Sequence, residues 1–345
     1  MKSDAAHKNT DRIIAIIEKR LKKEYRKAVE DVESKLNKHY QKYETKDEEW
    51  QDRLDRGEVT KAEYKQWRTG QMAIGDRWEK LRNRLAEDMS HTNKMARDIA
   101  EEYRADVFAD NFNYTTYDIE KNLNVDTDFT TYNKKAVERL MKDNPEVLPA
   151  PGKDTSRRIL SQLDVRWNRQ QLQSIATQAL MQGKSIAEVA ADIAKTLGEK
   201  NRKSAVRNAR TMMTAAENAG RQYGFERANK MGLDVSQQWV ATLDNRTRYS
   251  HRLLDGEIRK VGEKFSNGVL YPGDPNGEPQ EIYNCRCCLI GAFDYLDNDL
   301  SDLSKRHTKN FGNMSYSDWK SSKKSTSKPI SFSKIMSLNL LVINK

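Results

Sequence analysis

The stretch Val235-Ser236-Gln237-Gln238-Trp239-Val240-Ala241-Thr242 marks a change of period in the chain. Helical three- and four-residue steps dominate before it, and this octapeptide reads as a strand. Gly262, Gly268, Gly273 and Gly277, with Pro272, Pro275 and Pro279, then mark long turns, and Cys285 to Phe293 reads as a second strand. The expected fold class is mainly α with a small C-terminal α+β module. A long N-terminal helical arm or hairpin and a helical bundle precede two or more short strands with long loops.

Working back from residue 235, Lys203 to Met231 reads as one helix ended by Gly232, rich in Ala and Met so that neighbouring helices can approach closely. Ser185 and Glu188 have capping-box spacing, in which each side chain takes an orphan backbone N–H, and Gly198 stands where a C-terminal glycine cap belongs. Another helix is expected from about Thr155 to Gln182, carrying Ile159, Leu163, Trp167, Leu172, Ile175 and Leu180, with Gly183 stopping it. Asp143 to Gly152 holds three of the seven Pro and no helical period, so it reads as a boundary. Asn111 to Asp128, rich in Asn, Asp, Thr and Tyr, reads as loop, with a short helix around Ala136 to Met141.

The N-terminal part carries Ile14, Ile17, Leu21, Tyr25, Val29, Val32 and Leu36 as one apolar stripe on a long helix. A break follows at Asp55-Arg56-Gly57, then a capping box of Thr60 and Glu63. Trp78, Leu81 and Leu85 open a returning helix that continues through Met95, Ile99, Tyr103 and Val107, with a kink expected at Ser90 to Asn93. The expected division is a helical arm over 1–142, a linker over 143–152, a bundle over 153–234, the α+β module over 235–300 and a Ser- and Lys-rich tail over 301–345. One ordered piece is expected in that tail, around Met314 to Trp319.

Composition limits the function classes. Of 345 residues, 61 are Lys or Arg and 51 Asp or Glu, a formal net charge of +10. With 37 % hydrophobic residues and a mean hydropathy of −0.93, the chain is too polar for one large, uniformly compact α/β enzyme. The charge permits contact with a polyanion, although acidic residues are interspersed nearly everywhere. No membrane span is expected, because the apolar run Ile335 to Ile343 falls far short of the ~20 residues a spanning helix needs. The three Cys all lie between Cys285 and Cys288 and cannot staple distant parts of the chain.

Chemistry concentrates between Trp239 and Cys287. Asp244 is placed as a helix N-cap. Arg248, His251 and Asp255 then share a helix face, and Cys285 and Cys287 share a strand face. One reading is a site in which His251, Cys285, Cys287 and a fourth ligand hold Zn²⁺, with Asp255 orienting the imidazole. The other is a packed corner in which the Cys are small hydrophobes and His251 a core hydrogen-bonding residue. Cys288 points to the opposite strand face, as packing. Arg246, Arg248 and Arg252 pair with Asp244, Asp255 and Asp274 in preference to binding phosphate. No nucleotide-binding glycine loop and no H-E-x-x-H is present, which lowers nucleotide hydrolysis and metalloprotease chemistry.

The same segment resembles the phage Mu F-like minor head proteins, the family that includes the head morphogenesis protein of phage SPP1. The resemblance lies in the order W-x-A-T-x-D-x-R-T-R-x-x-H, L-D-G, D-P and N-C-R-C. Here these are Trp239 to His251, Leu254-Asp255-Gly256, Asp274-Pro275 and Asn284 to Cys287. Gly183 to Glu188, Ala209-Arg210-Thr211 and Asn218-Ala219-Gly220 also fit, and the likeness covers roughly Ser156 to Ala292. The family often has Glu after the Arg-Thr pair; this chain has Met212. The resemblance implies a non-enzymatic minor head protein, made in the host cytoplasm and packaged in few copies inside the capsid. Its implied partners are the portal protein, scaffold or major capsid protein, and phage DNA, with a role in DNA packaging or ejection. The +10 charge without a reading helix or zinc finger makes DNA contact an expected non-specific one. The alternatives from other classes are a metal-dependent nuclease or hydrolase using His251, and a plain non-specific DNA-binding protein.

Overall fold

The structure, a computed structural model, describes residues 4–145, 147, 162–182, 184–293 and 313–326. The expected features at Ile159, Gly183 and Ile335 to Ile343, and most of the linker over 143–152, lie outside the described residues.

Helices dominate, as the periodicity requires. In chain order they are α1 (Ala5–Tyr40), α2 (Glu44–Asp55), α3 (Lys61–Met72), α4 (Asp76–Leu123), α5 (Lys134–Asp143), α6 (Gln162–Met181) and α7 (Ile186–Lys230). The short helices α8 (Tyr249–Leu253), α9 (Pro279–Ile282) and α10 (Tyr316–Ser322) follow. The strands are β1 (Thr131–Tyr132), β2 (Ser236–Val240), β3 (Ile258–Lys260), β4 (Cys288–Ala292) and β5 (Ser325–Thr326). β3, β2 and β4 form an antiparallel sheet with β2 central, and β1 pairs with β5 in parallel. Among the described residues no helix is long and apolar enough to cross a membrane.

Contacts divide the chain into two units. Among the described residues, one comprises 4–16, 100–145, 147, 207–293 and 313–326; the other comprises 17–99, 162–182 and 184–206. In the second unit, Ile17, Leu21, Tyr25, Val32 and Leu36 of the α1 stripe are buried, while Val29 is half-buried. Tyr25 donates to Asn93 Oδ1 at 2.5 Å and Lys35 donates to Asp88 at 2.8 Å, so α4 returns antiparallel to α1. Both capping boxes form, at Thr60–Glu63 and Ser185–Glu188. A buried polar cluster sets the register of this bundle: Asn93 donates to Asp164 and Asn201, and Asn201 donates to Asn168. The inward face of α6 therefore includes Asp164 and Asn168, whereas Leu163 is exposed.

Three local expectations are corrected. Asn111 to Asp128 is not loop, because α4 runs to Leu123. Its polar residues bond back to their own helix, Asn111 to Val107 O at 2.9 Å and Thr116 to Phe112 O at 3.2 Å, and are buried. Met95, expected on the inward stripe of α4, is exposed. Gly198 caps nothing: it lies inside α7, where a Cβ would collide with Val29 Cγ2 of α1. Gly232 does end α7, with φ +83°.

In the first unit, the tail segment docks through Trp319. Its indole is fully buried and donates to Glu120 Oε2 at 2.7 Å, while Lys323 pairs with Glu120 and Asp126 at 2.9 Å each.

Candidate metal centre

The corner is built against one face of α7. Thr211, Thr214, Asn218 and Arg221 follow steps of three and four residues, so they form one polar stripe on an otherwise Ala-rich helix. Thr211 Oγ1 accepts from Asn284 N at 2.8 Å, and Thr214 Oγ1 donates to Cys285 O at 2.8 Å. Asn218 donates to Cys287 O at 3.1 Å and accepts from Leu289 N at 2.8 Å, and Arg221 donates to Leu289 O at 3.0 Å. The helix thus serves residues 284–289 as a neighbouring strand would, and fixes where the two thiols stand.

Cys285 and Cys287 precede β4 and are not part of it, which corrects the strand placement. They sit in a tight bend in which Cys287 N donates to Cys285 Sγ at 3.4 Å. From α8, His251 brings Nδ1 to 3.6 Å from Cys285 Sγ and 3.4 Å from Cys287 Sγ. The three ligand atoms lie within 4.8 Å of one another, and each residue is 2 % exposed. The hydrogen bond between the thiols pushes Cys287 down to about 5 and, with burial, pushes Cys285 well up. The two thiols share a hydrogen bond and give up their protons as a pair.

The imidazole is oriented by Glu281, which sequence reading did not single out. His251 Nε2 lies 3.1 Å from Glu281 Oε2, and that carboxylate also accepts from Ser250 at 3.2 Å and Asn267 at 3.1 Å. Asp255 does not take this part: it lies beyond α8 and accepts from Ala241 N at 2.8 Å. Trp239 is fully buried and meets the His251 ring edge-on at 5.4 Å.

The remaining motif residues shape turns. Asp244 is not a helix N-cap, since α8 begins five residues later with Arg248 at its cap. It accepts from Arg246 N at 2.9 Å and takes a two-pronged contact from Arg286 at 2.6 and 2.7 Å. The Arg286 hydrogen bonds hold its carboxyl well below the usual carboxylate range. Of the expected arginine–aspartate pairs, Arg246–Asp244 forms at 3.7 Å. Arg248 donates instead to Tyr283 O, and Arg252 to Asp244 O. Asp274 accepts from Leu270 N and Asn276 N. Asn284 has φ +56°, the left-handed turn that leads into the Cys bend.

A second cluster was not legible, because its members are remote in sequence. His7 Nδ1 lies 2.7 Å from Glu217 Oε1, with Cys288 beside them. Arg221 Nη2 donates to the same Glu217 oxygen at 3.2 Å. Cys288 is buried, and burial pushes its thiol well up.

Residues 170–290 match the family model described as Phage Mu protein F like protein. The chain is similar to the Minor head protein GP7 of Bacillus phage SPP1, 26 % identical over 327 residues, covering 92 % of this chain and 96 % of that protein. It is also similar to the NAD(+)--arginine ADP-ribosyltransferase EFV of Enterococcus faecalis (strain ATCC 700802 / V583), 32 % identical over 174 residues, half of this chain. The chain spans only 35 % of the length of that protein. No solved structure matches. The resemblance to the Mu F-like and SPP1 head morphogenesis proteins holds on both the family match and the relative aligned nearly end to end.

Proposed function

We propose that this chain, Mu F-like over residues 170–290, is a minor component of a phage head. It acts in head morphogenesis, inside the capsid and next to the portal. The observation that carries the reading is the alignment with 96 % of the SPP1 minor head protein. The polar residues of the Mu F-like segment favour assembly over turnover. Asp244, Asp255, Asp274 and Asn218 are engaged in holding backbone and turns. The nuclease or hydrolase alternative is less supported, since His251, Cys285 and Cys287 are buried and the second nitrogen of His251 is bonded to Glu281. Transferase activity is named for a protein of which this chain spans about a third.

The portal protein is the proposed partner, with scaffold or major capsid protein as further contacts. Leu243, Tyr249 and Leu253 are 63, 75 and 68 % exposed around α8 and supply apolar surface for such a contact. The test is co-expression with portal and scaffold proteins, followed by isolation of procapsids. The chain is expected to copurify with the portal ring. The Leu243→Ser, Tyr249→Ser, Leu253→Ser variant should melt normally but enter procapsids poorly. Absence of the wild-type chain from procapsids would overturn the reading.

Contact with phage DNA is a second reading, favoured by one feature. Lys19, Lys22, Lys23 and Arg26 of α1 share a helix face, and with Lys195 and Arg202 of α7 they line a groove of about 350 Å³ in which Glu199 is the acidic residue. Such a groove suits a phosphate backbone, without sequence preference.

A further inference from the structure

We propose that His251 Nδ1, Cys285 Sγ and Cys287 Sγ bind one zinc ion, and that the ion locks the Mu F-like corner as a structural fastening. The inference rests on this geometry and stands whether or not the head role holds. Thiolate and imidazole are the donors Zn²⁺ takes in proteins, at about 2.3 Å for sulfur and about 2.0–2.1 Å for nitrogen. A tetrahedron with those bonds has a nitrogen–sulfur edge of about 3.6 Å. The two edges here are 3.4 and 3.6 Å.

The surroundings complete the pattern. A metal-bound imidazole ordinarily gives its other N–H to a carboxylate, which fixes the tautomer and aims the lone pair. Glu281 stands 3.1 Å from Nε2, so Nδ1 is left to face the sulfurs. Glu281 is itself held by Ser250 and Asn267. The Cys287 N–H directed at Cys285 Sγ supports a second thiolate, as backbone N–H groups do around metal-bound sulfur.

A fastening is needed at this place. The ligands close the segment between residues 251 and 285, which carries Gly256, Gly262, Gly268, Gly273 and Gly277 and three Pro. Its regular structure is limited to β3 and α9. Tying its ends removes freedom from the unfolded chain and holds α8 against the Cys bend.

The other His–Glu–Cys cluster takes no metal on this argument. Glu217 already receives His7 and Arg221, and the buried guanidinium places a positive charge where a cation would sit. The expected stoichiometry is therefore one ion per chain.

The test uses the full chain, purified without chelator. Elemental analysis is expected to give about one zinc per chain, falling to under about a tenth in Cys285→Ser, Cys287→Ser and His251→Ala. His7→Gln and Cys288→Ser are expected to keep it. Exchange of the wild type with Co²⁺ should give a thiolate-to-cobalt charge-transfer band and the visible bands of a tetrahedral site. A chelator should lower the melting temperature of the wild type. Wild-type protein that holds neither zinc nor cobalt would overturn the proposal. So would zinc that survives in folded Cys285→Ser, Cys287→Ser protein. Should a ligand variant fail to fold, the wild-type cobalt spectrum alone decides.

Discussion

Arg221 is 2 % exposed at its side chain, and its five N–H donors all find acceptors. Nε meets Asn111 at 3.0 Å, Nη1 meets Asp4 and Leu289 O, and Nη2 meets Asp4 and Glu217. A buried guanidinium is tolerated on those terms, and a lysine could not replace its fork. Its neighbour His7 makes the arrangement pH-dependent. Burial works against the imidazolium, but the hydrogen bond and charge of Glu217, with Asp11 adding, raise His7 above its ordinary value; Arg221 opposes. A group whose folded value is raised contributes stability that is fully present below its unfolded value of about 6.5 and is lost as pH rises through the folded value. The stability of wild type over His7→Gln, measured by denaturant titration between about pH 5.5 and 8.5, should therefore shrink as pH rises. Asp118, which burial raises to about 6, titrates in both proteins and drops out of the difference. A margin that grows with pH would contradict this role for His7. None of these partners was legible, because His7 and Glu217 lie 210 residues apart in sequence. His251, Cys285 and Cys287 were legible, since two Cys in C-x-C and one His on a helical face carry chemistry in their identities. Glu281 was not, because one Glu in a turn looks like any other.

Elements were legible where their apolar period was clean. The α1 stripe follows from it, while both capping boxes follow from Ser/Thr-to-Glu spacing and the end of α7 from Gly232. The reading failed where polar residues do the packing. Asn111, Asn113, Thr115 and Thr116 are loop-formers by composition, yet all are buried on α4. Glycine misled for a related reason, since its lack of a side chain serves close approach as well as turning. Gly220 of α7 shows this sharply: a Cβ there would lie 2.5 Å from Phe108 O and 3.2 Å from Phe112 N, both backbone atoms of α4 that cannot swing away. Gly220→Ala gains helix propensity of about 1 kcal/mol but forces two helices apart, at about 1–3 kcal/mol or more. Net destabilisation is expected by chemical denaturation. Gly70 of α3 meets nothing within 4 Å, so Gly70→Ala should stabilise by roughly 0.5–1 kcal/mol in the same assay. Equal effects at both positions would remove close approach as the reason for Gly220.

For the whole molecule, a charge of +10 says little by itself, because 51 acidic residues are spread among the 61 basic ones. What matters is where basic residues are left together. On α1, Lys19, Lys22, Lys23 and Arg26 follow steps of three and four, and Gly198 lets α7 come close enough to bring Lys195 and Arg202 to the same groove. Arg26 has Glu30 at 3.7 Å, a contact too exposed to neutralise it fully. A phosphate backbone laid along this groove would release condensed counterions. For about five contacts the logarithm of affinity should fall against the logarithm of salt with a slope of roughly −4 to −5 on duplex DNA. Lys22→Glu, Lys23→Glu, Lys195→Glu should weaken binding to every sequence alike and flatten the slope by about 3, with the melting temperature little changed because these side chains are exposed. Fluorescence anisotropy with unrelated duplexes, over a salt series, reads both quantities. Binding that ignores salt, or that prefers one duplex and survives the triple substitution, would place DNA elsewhere on the molecule. It would leave the basic groove as a solvated helix face.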